Sequence, residues 1–163
     1  MPLLFDALKN QLENTWLVPE GGSYPGSVNE SADHFATAVV TWFAAGQAAG
    51  IPCITAFARK SQLQTAAAGA LAAQSAQAAG TQLAMAVATY MAGQVFSAGP
   101  ATGSATFPAA ASAAVSQMIA TFSDVNGSVS QKAQQIAAAC TTLAVSTIVI
   151  FPVPPGPTPA PVS

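Results

Sequence analysis

Charge is what this sequence has least of. Asp, Glu, Lys and Arg make up 6% of the 163 residues, against about 25% in ordinary soluble proteins. Four Lys/Arg against six Asp/Glu leave a net charge of −2. Nucleic-acid binding needs clustered Lys and Arg to displace counterions from phosphates; no such cluster exists, and no nucleic-acid partner is expected. Histidine occurs once, at His34, and cysteine twice, at Cys53 and Cys140. That shortage excludes most acid–base and metal chemistry, so neither enzyme activity nor a cofactor is expected. The cysteines stand 87 positions apart, which gives neither a CxxC redox pair nor zinc-ligand spacing. Their plain reading is two small buried apolar side chains, and the spacing leaves a disulfide between them open.

The few charges are also unevenly placed. Asp6, Lys9, Glu13, Glu20, Glu30 and Asp33 occupy the first fifth, Arg59 and Lys60 follow Cys53, and Asp124 and Lys132 flank Asn126-Gly127. The 63 residues between Lys60 and Asp124 carry no formal charge. Free monomers usually stay soluble behind a mixed charged surface. Either partners cover much of this stretch, or Gln, Ser and Thr alone keep it wet. The N-terminal MPLLFDALKNQLENTW lacks the basic start and short greasy core of a secretory signal.

Alanine dominates what remains, with 38 residues. A first helix is expected over Pro2–Thr15, with Leu4, Leu8 and Leu12 four apart, followed by a turn-rich loop at 19–26. Ser31 reads as the N-cap of a helix to about Ala49, whose face carries Phe35, Ala38, Val39, Trp42 and Phe43. Gly50-Ile51-Pro52 reads as its stop. Ser61–Phe96 reads as helix, single or broken near Gly80, with Leu63, Ala67, Leu71, Leu83 and Val87 inward. Its alanines offer high helix propensity but little area to bury; close backbone approach must supply the packing. Ser97–Pro108 reads as a flexible or turn-rich connection. Helices are expected again over Ala109–Phe122 and Ser130–Cys140. The β-branched run Thr141–Phe151 reads as a strand. Six of the last twelve residues are prolines, a tail expected to stay out of any ladder as an extended arm.

No motif carries chemistry. His34 follows Asp33 directly, and adjacent helical residues do not face one another; it reads as a surface histidine. Gly99–Ser104 has no lysine and no preceding strand in this reading, so it is not a phosphate loop. Gly46-xxx-Gly50 and Gly99-xxx-Gly103 read as caps and turns. Ala133–Phe151 is 19 uncharged residues, about the length of a membrane-crossing helix. It contains two glutamines, three threonines and a serine, and no basic cluster follows to set an orientation. A membrane partner is therefore not expected, and a holin-like or pore-forming protein using residues 133–151 stands as the alternative function.

The order of pieces in the last 80 residues resembles small virion proteins of tailed bacteriophages, encoded among tail and baseplate genes. The resemblance lies in LAMAVATYMAGQVF (83–96), SAGPATGSATF (97–107), KAQQIAAACTTL (132–143) and STIVIFPVPPGP (146–157). It is one of pattern and composition. It implies a structural part of a tail, baseplate or neck, assembled in the host cytoplasm and located in the virion, with no catalytic residues.

The combined expectation is a mainly α fold: a bundle of four to six Ala-rich helices over residues 1–140, then a strand and Pro-rich arm over 141–163. Partners are copies of itself and other virion proteins. Trp16 and Trp42 read as core or interface anchors; taken as exposed apolar positions, they are the expected contacts together with the arm residues Ile148, Val149, Ile150, Phe151, Pro152, Val153, Pro154 and Pro155. An extended proline arm loses little entropy on docking and can add to a neighbour's sheet edge.

Overall fold

A computed structural model describes residues 3–18, 23, 25–153 and 156–163. The fold is mainly α, with six α-helices among those residues. Helix α1 (Phe5–Gln11) runs on into a wider π turn, Leu12–Trp16. Leu8, Leu12 and Trp16 are buried, while Leu4, the N-cap residue, is exposed. Pro2 and most of the expected 19–26 loop lie outside the described residues. Helix α2 (Val28–Ala44) is capped by Ser27, whose hydroxyl accepts from the Glu30 amide at 3.1 Å. Ser31 is not the cap because it lies inside the first turn, its amide already bonded to the Ser27 carbonyl at 3.0 Å; its hydroxyl accepts the Trp16 indole N–H at 2.9 Å. Phe35, Val39 and Phe43 lie fully buried along α2, each contributing about 1.5–3 kcal/mol by burial.

Helix α2 stops five residues earlier than expected. Gln47–Ala48 (β1) and Ile51–Pro52 (β2) form a hairpin around Ala49 and Gly50, whose φ values are 51° and 79°. Two positive φ angles are the requirement of a type I′ turn. Gly50 therefore supplies left-handed backbone as expected, but to a hairpin. The long 61–96 segment is two helices, α3 (Lys60–Leu71) and α4 (Ala76–Met91). The break falls at Ser75, which caps α4 by accepting from the Ala78 amide. Gly80 sits inside α4 against the backbone of helix α5 (Ala111–Ser123), where a Cβ would come within 2.6 Å of the Ile119 nitrogen. Close approach between alanine-rich helices is thus made at a glycine.

Three expectations change in the C-terminal half. Residues 97–108 are not a flexible connection: Val95–Ala98 (β3) and Ala101–Ala105 (β4) form a hairpin. Its small alternating residues hid the period of two. Helix α6 (Val129–Val145), started by a Ser128/Gln131 capping box, runs past the expected boundary at residue 140. Thr141 and Thr142 are helical, their hydroxyls donating to the Ala137 and Ala138 carbonyls at 2.8 and 2.9 Å. The strand β5 begins only at Ile148 and ends at Val153. Lastly, the proline tail does enter a ladder. Gly156–Pro161 (β6) pairs antiparallel with β5 over six residue pairs, from Val153↔Gly156 to Ile148↔Pro161.

Proline tolerates this ladder because of its spacing. Residues 158, 160 and 162 turn their amides toward β5, as the Val162 N–H to Thr147 carbonyl bond (3.1 Å) shows. Successive amides of a strand point to opposite edges, so Pro157, Pro159 and Pro161 occupy the positions whose missing N–H would face outward. The next outward position is Ser163. It has an N–H and uses it, donating to the Gln47 carbonyl at 2.8 Å while its own carbonyl accepts from Gln47 N–H at 2.9 Å.

That exchange closes the sheet. The strand order β3-β4-β5-β6 is joined to the β1–β2 hairpin at both edges, by Ala48↔Val162 and by Cys53↔Phe96. The six strands form an antiparallel circuit. Ala48, Cys53, Phe96, Ala105, Val149, Phe151, Ala160 and Val162 are buried, and Phe151 lies across Gly103, where a Cβ would stand 2.7 Å from its ring. Phe43 of α2 packs edge-on against Phe96 and Tyr90, at 6.2 and 5.8 Å between centroids. The helices pack in sequence order, α2 on α3 through to α6, and α6 on α1.

Candidate interaction surface

A buried polar knot holds the sheet to the helices and fixes the strands around it. Gln94 is wholly buried; its carbonyl oxygen accepts from the Thr55 hydroxyl at 2.6 Å, and its amide donates to the Tyr90 carbonyl at 2.9 Å. Thr55 in turn accepts from the Val95 amide, and the Tyr90 hydroxyl donates to the Ala56 carbonyl. Arg59 donates to the Ala92 and Thr89 carbonyls at the end of α4, where cation and helix dipole agree. Burial raises the Tyr90 phenol strongly, with the nearby Cys53 adding to it. Every member of this knot has a partner, so its role is to hold the junction.

Cys53, Tyr90 and Arg59 lie near one another at this junction; elsewhere among the described residues the charged side chains meet in two ion pairs. Asp33 pairs with Lys60 at 2.8 Å and Lys9 with Glu13 at 3.0 Å. His34 is half-buried, in place of the expected surface position, and its Nδ1 is enclosed without a hydrogen-bond partner among the described residues. Cys53 and Cys140 are both buried free thiols. Burial pushes Cys140 up to about 12 and also raises Cys53, the latter opposed by hydrogen bonds from Thr55 and Ala56. Among the described residues no three His, Cys, Asp or Glu side chains come together as a metal site. A shallow groove at the start of α4, lined by Leu71, Gln74, Ser75, Ala79 and Phe122, holds no titratable side chain.

Exposed apolar surface is what the sheet does offer. Strand alternation divides the expected arm residues into two sets. Val149 and Phe151 point into the core, at 0% and 4% exposure, while Ile150 is 41% exposed, Pro152 is exposed and Ile148 is half-buried. Opposite them on β6, Pro161 pairs with Ile148 and Pro159 with Ile150, both prolines exposed. The outer face is therefore a rigid Ile/Pro panel. Exposed Phe107 and Val145 lie on the segments leading into it; the Thr106 N–H to Ile148 carbonyl bond (2.8 Å) sets those segments side by side. Val153 ends β5 opposite Gly156, and Pro154 and Pro155 lie outside the described residues.

Both tryptophans are core anchors, and their reading as exposed contacts is corrected. Trp16 and Trp42 are 5% and 3% exposed; the large apolar indole is worth more in the core than on the surface. Trp16 packs on Phe35 at 4.8 Å, and Trp42 lies beside Phe43. The sequence reading missed Pro159, Pro161 and Phe107, and also the exposed pair Ile54 and Phe57. The alternation of proline with Thr, Ala and Val over 157–162 was the available signal for the first two. Segment 133–151 is split between α6 and β5, and no helix of the described residues is long and apolar enough to cross a membrane. No protein-family model matches this chain, and no curated protein or solved structure does either.

Proposed function

We propose that this chain is a non-enzymatic assembly protein, a structural component of a phage particle at the tail, baseplate or neck, that binds copies of itself and other virion proteins. The observation that carries the assembly reading is the exposed Ile148/Ile150/Pro152/Pro159/Pro161 panel on a sheet already closed on itself. Apolar side chains held rigidly by strand pairing lose little entropy on contact. The uncharged surface of residues 61–123 supports the same reading, since Gln62, Gln77, Gln82 and Gln117 are among its exposed polar residues and little charge must be desolvated when it is covered. The virion setting is supported by the sequence resemblance alone.

Removing residues from 147 onward is a poor test, because it takes the buried Val149 and Phe151 out of the core. Ile150→Glu changes only the outer face. It is expected to leave the circular dichroism spectrum unchanged and to weaken association about tenfold or more, the effect of about 1.4 kcal/mol, measured by sedimentation velocity. Unaltered association by this variant refutes the panel as the contact. A mass-spectrometric inventory of purified particles tests the virion setting.

A further inference from the structure

We infer that Asn126 is a modification site: its side chain closes on the Gly127 nitrogen to form a succinimide, and the Asp124 carboxylate restrains that step in the folded chain. Neither part depends on self-assembly. Of the four asparagines, only Asn126 precedes a glycine. Asn10, Asn14 and Asn29 lie in helical backbone, whereas Asn126 is exposed in the turn between α5 and α6. A following glycine leaves the attacking nitrogen without a side chain to shield it. The step balances with water alone. The Gly127 nitrogen gives up its proton and bonds to Asn126 Cγ, the Cγ–Nδ2 bond breaks, and the departing amide takes up that proton and leaves as ammonia. Water then opens the imide at either carbonyl, giving aspartate or the β-linked isoaspartate. Either product adds a negative charge beside the uncharged stretch 61–123.

The turn itself explains why the reactive dipeptide stands here and what holds it. Asp124 Oδ1 accepts from both the Asn126 and the Gly127 amide, each at 3.0 Å, so the carboxylate folds back over its own backbone as in an Asx turn. Gly127 is not among the described glycines with positive φ, and conformational freedom is not its reason. A Cβ on it would collide with Asp124 Oδ2 and stand 3.1 Å from Asp124 Cγ; a side chain there would push the carboxylate off both amides. The carboxylate thus calls for glycine after Asn126, then guards the nitrogen that glycine leaves open. Attack requires the Gly127 N–H to lose its proton and the nitrogen to turn toward Asn126 Cγ. A hydrogen bond to a carboxylate opposes both, because it stabilises the protonated amide and fixes the peptide plane. A carboxylate acting as the base would instead speed the step, so the sign of the Asp124 effect separates the two roles.

The whole chain is incubated folded at mildly alkaline pH, and peptide mapping quantifies aspartate and isoaspartate at each asparagine. Conversion is expected at Asn126 and not at Asn10, Asn14 or Asn29. Asp124→Ala is expected to convert about tenfold faster, the rate effect of losing one charge-assisted hydrogen bond. Asp124→Asn keeps an acceptor oxygen and is expected to fall between. In urea, parent and Asp124→Ala are expected to convert at the same rate, since the restraint exists only in the folded turn. Amide hydrogen exchange on the parent chain reads the restraint without a substitution, and it decides the matter should Asp124→Ala fail to fold. The Gly127 N–H is expected to exchange at least about tenfold more slowly in the folded chain than in urea. If folded Asp124→Ala converts no faster than the parent, or if Gly127 exchanges at the unfolded rate, the restraint by Asp124 is overturned. If Asn126 converts no faster than the helical asparagines in any of these chains, the site itself is overturned.

Discussion

Adding one methyl group at Gly80 distinguishes packing from propensity. Within a helix, glycine to alanine returns about 0.8–1 kcal/mol of backbone propensity. At Gly80, however, the new Cβ would stand 2.6 and 2.7 Å from the nitrogen and Cα of Ile119 and 2.8 Å from the carbonyl carbon of Met118. These are backbone atoms of a packed helix and cannot rotate aside. A comfortable carbon contact is about 3.5–4.0 Å, so α4 and α5 must part by roughly 1 Å, a gap that forfeits about a quarter to a half of each contact's attraction. Overpacking of this kind costs about 1–3 kcal/mol. With the propensity gain subtracted, Gly80→Ala is expected to destabilise by up to about 2 kcal/mol and lower Tm by up to about 8 °C. Gly69, in α3, has nothing within 4 Å of its added Cβ, so Gly69→Ala is expected to raise Tm by about 2–4 °C. Calorimetry on both variants decides the matter. If Gly80→Ala is as stable as Gly69→Ala, the α4–α5 contact is not the close approach described here.

Thr55→Val keeps the shape of the side chain but leaves the buried Gln94 oxygen with only the Cys53 thiol at 3.7 Å and the Val95 amide without its acceptor; denaturant titration should show a loss of about 1–3 kcal/mol, and a loss under about 0.5 kcal/mol would mean that water replaces the hydroxyl. Pro157→Thr with Pro159→Thr restores amides on the outer edge of β6. Light scattering should then show self-association beyond that of the parent protein, and an unchanged profile contradicts an edge-blocking role for the prolines. Burial raises Cys140 from an ordinary value of 9.0 to about 12, so the folded state keeps the thiol protonated where the unfolded chain ionises. Its contribution is full below about pH 9 and is lost as pH climbs from there through about 12, by up to about 1.4 kcal/mol per pH unit. Cys53 and Tyr90 act in the same direction. Urea midpoints measured across that window should fall with pH, less steeply in Cys140→Ala, and equal slopes would place the Cys140 thiol in contact with solvent.

The helical half of the fold was largely legible along the chain. Phe35, Val39 and Phe43 show the spacing of a buried helix face, and all three are buried; the scarcity of large side chains over 61–96 announced close helix packing, met at Gly80. Helix ends were less legible, because a cap is chosen by competing hydrogen bonds. Ser31 carries a good capping side chain, but the helix starts at Val28 with Ser27 as its cap, which puts Ser31 inside the first turn, where its hydroxyl meets the Trp16 indole. Thr141 and Thr142 have the β-branched shape of strand residues, yet their hydroxyls bond back to α6 carbonyls and the helix continues.

Of the candidate surface, the chain itself supplied the residues and a period of two, but neither the partner strand nor the face. Local propensity determined where backbone could be helical, where glycine could turn it and where proline could not donate. Whether Ile150 met solvent or Phe151 met core depended on register, and register was decided by β5 having β4 on one side and β6 on the other. The closing of the circuit was least visible of all, since Gln47 and Ser163 are 116 residues apart. Their pairing follows from the hairpin at Ala49-Gly50 and the packing that brings both sheet edges together, and contacts that distant leave no local trace in sequence.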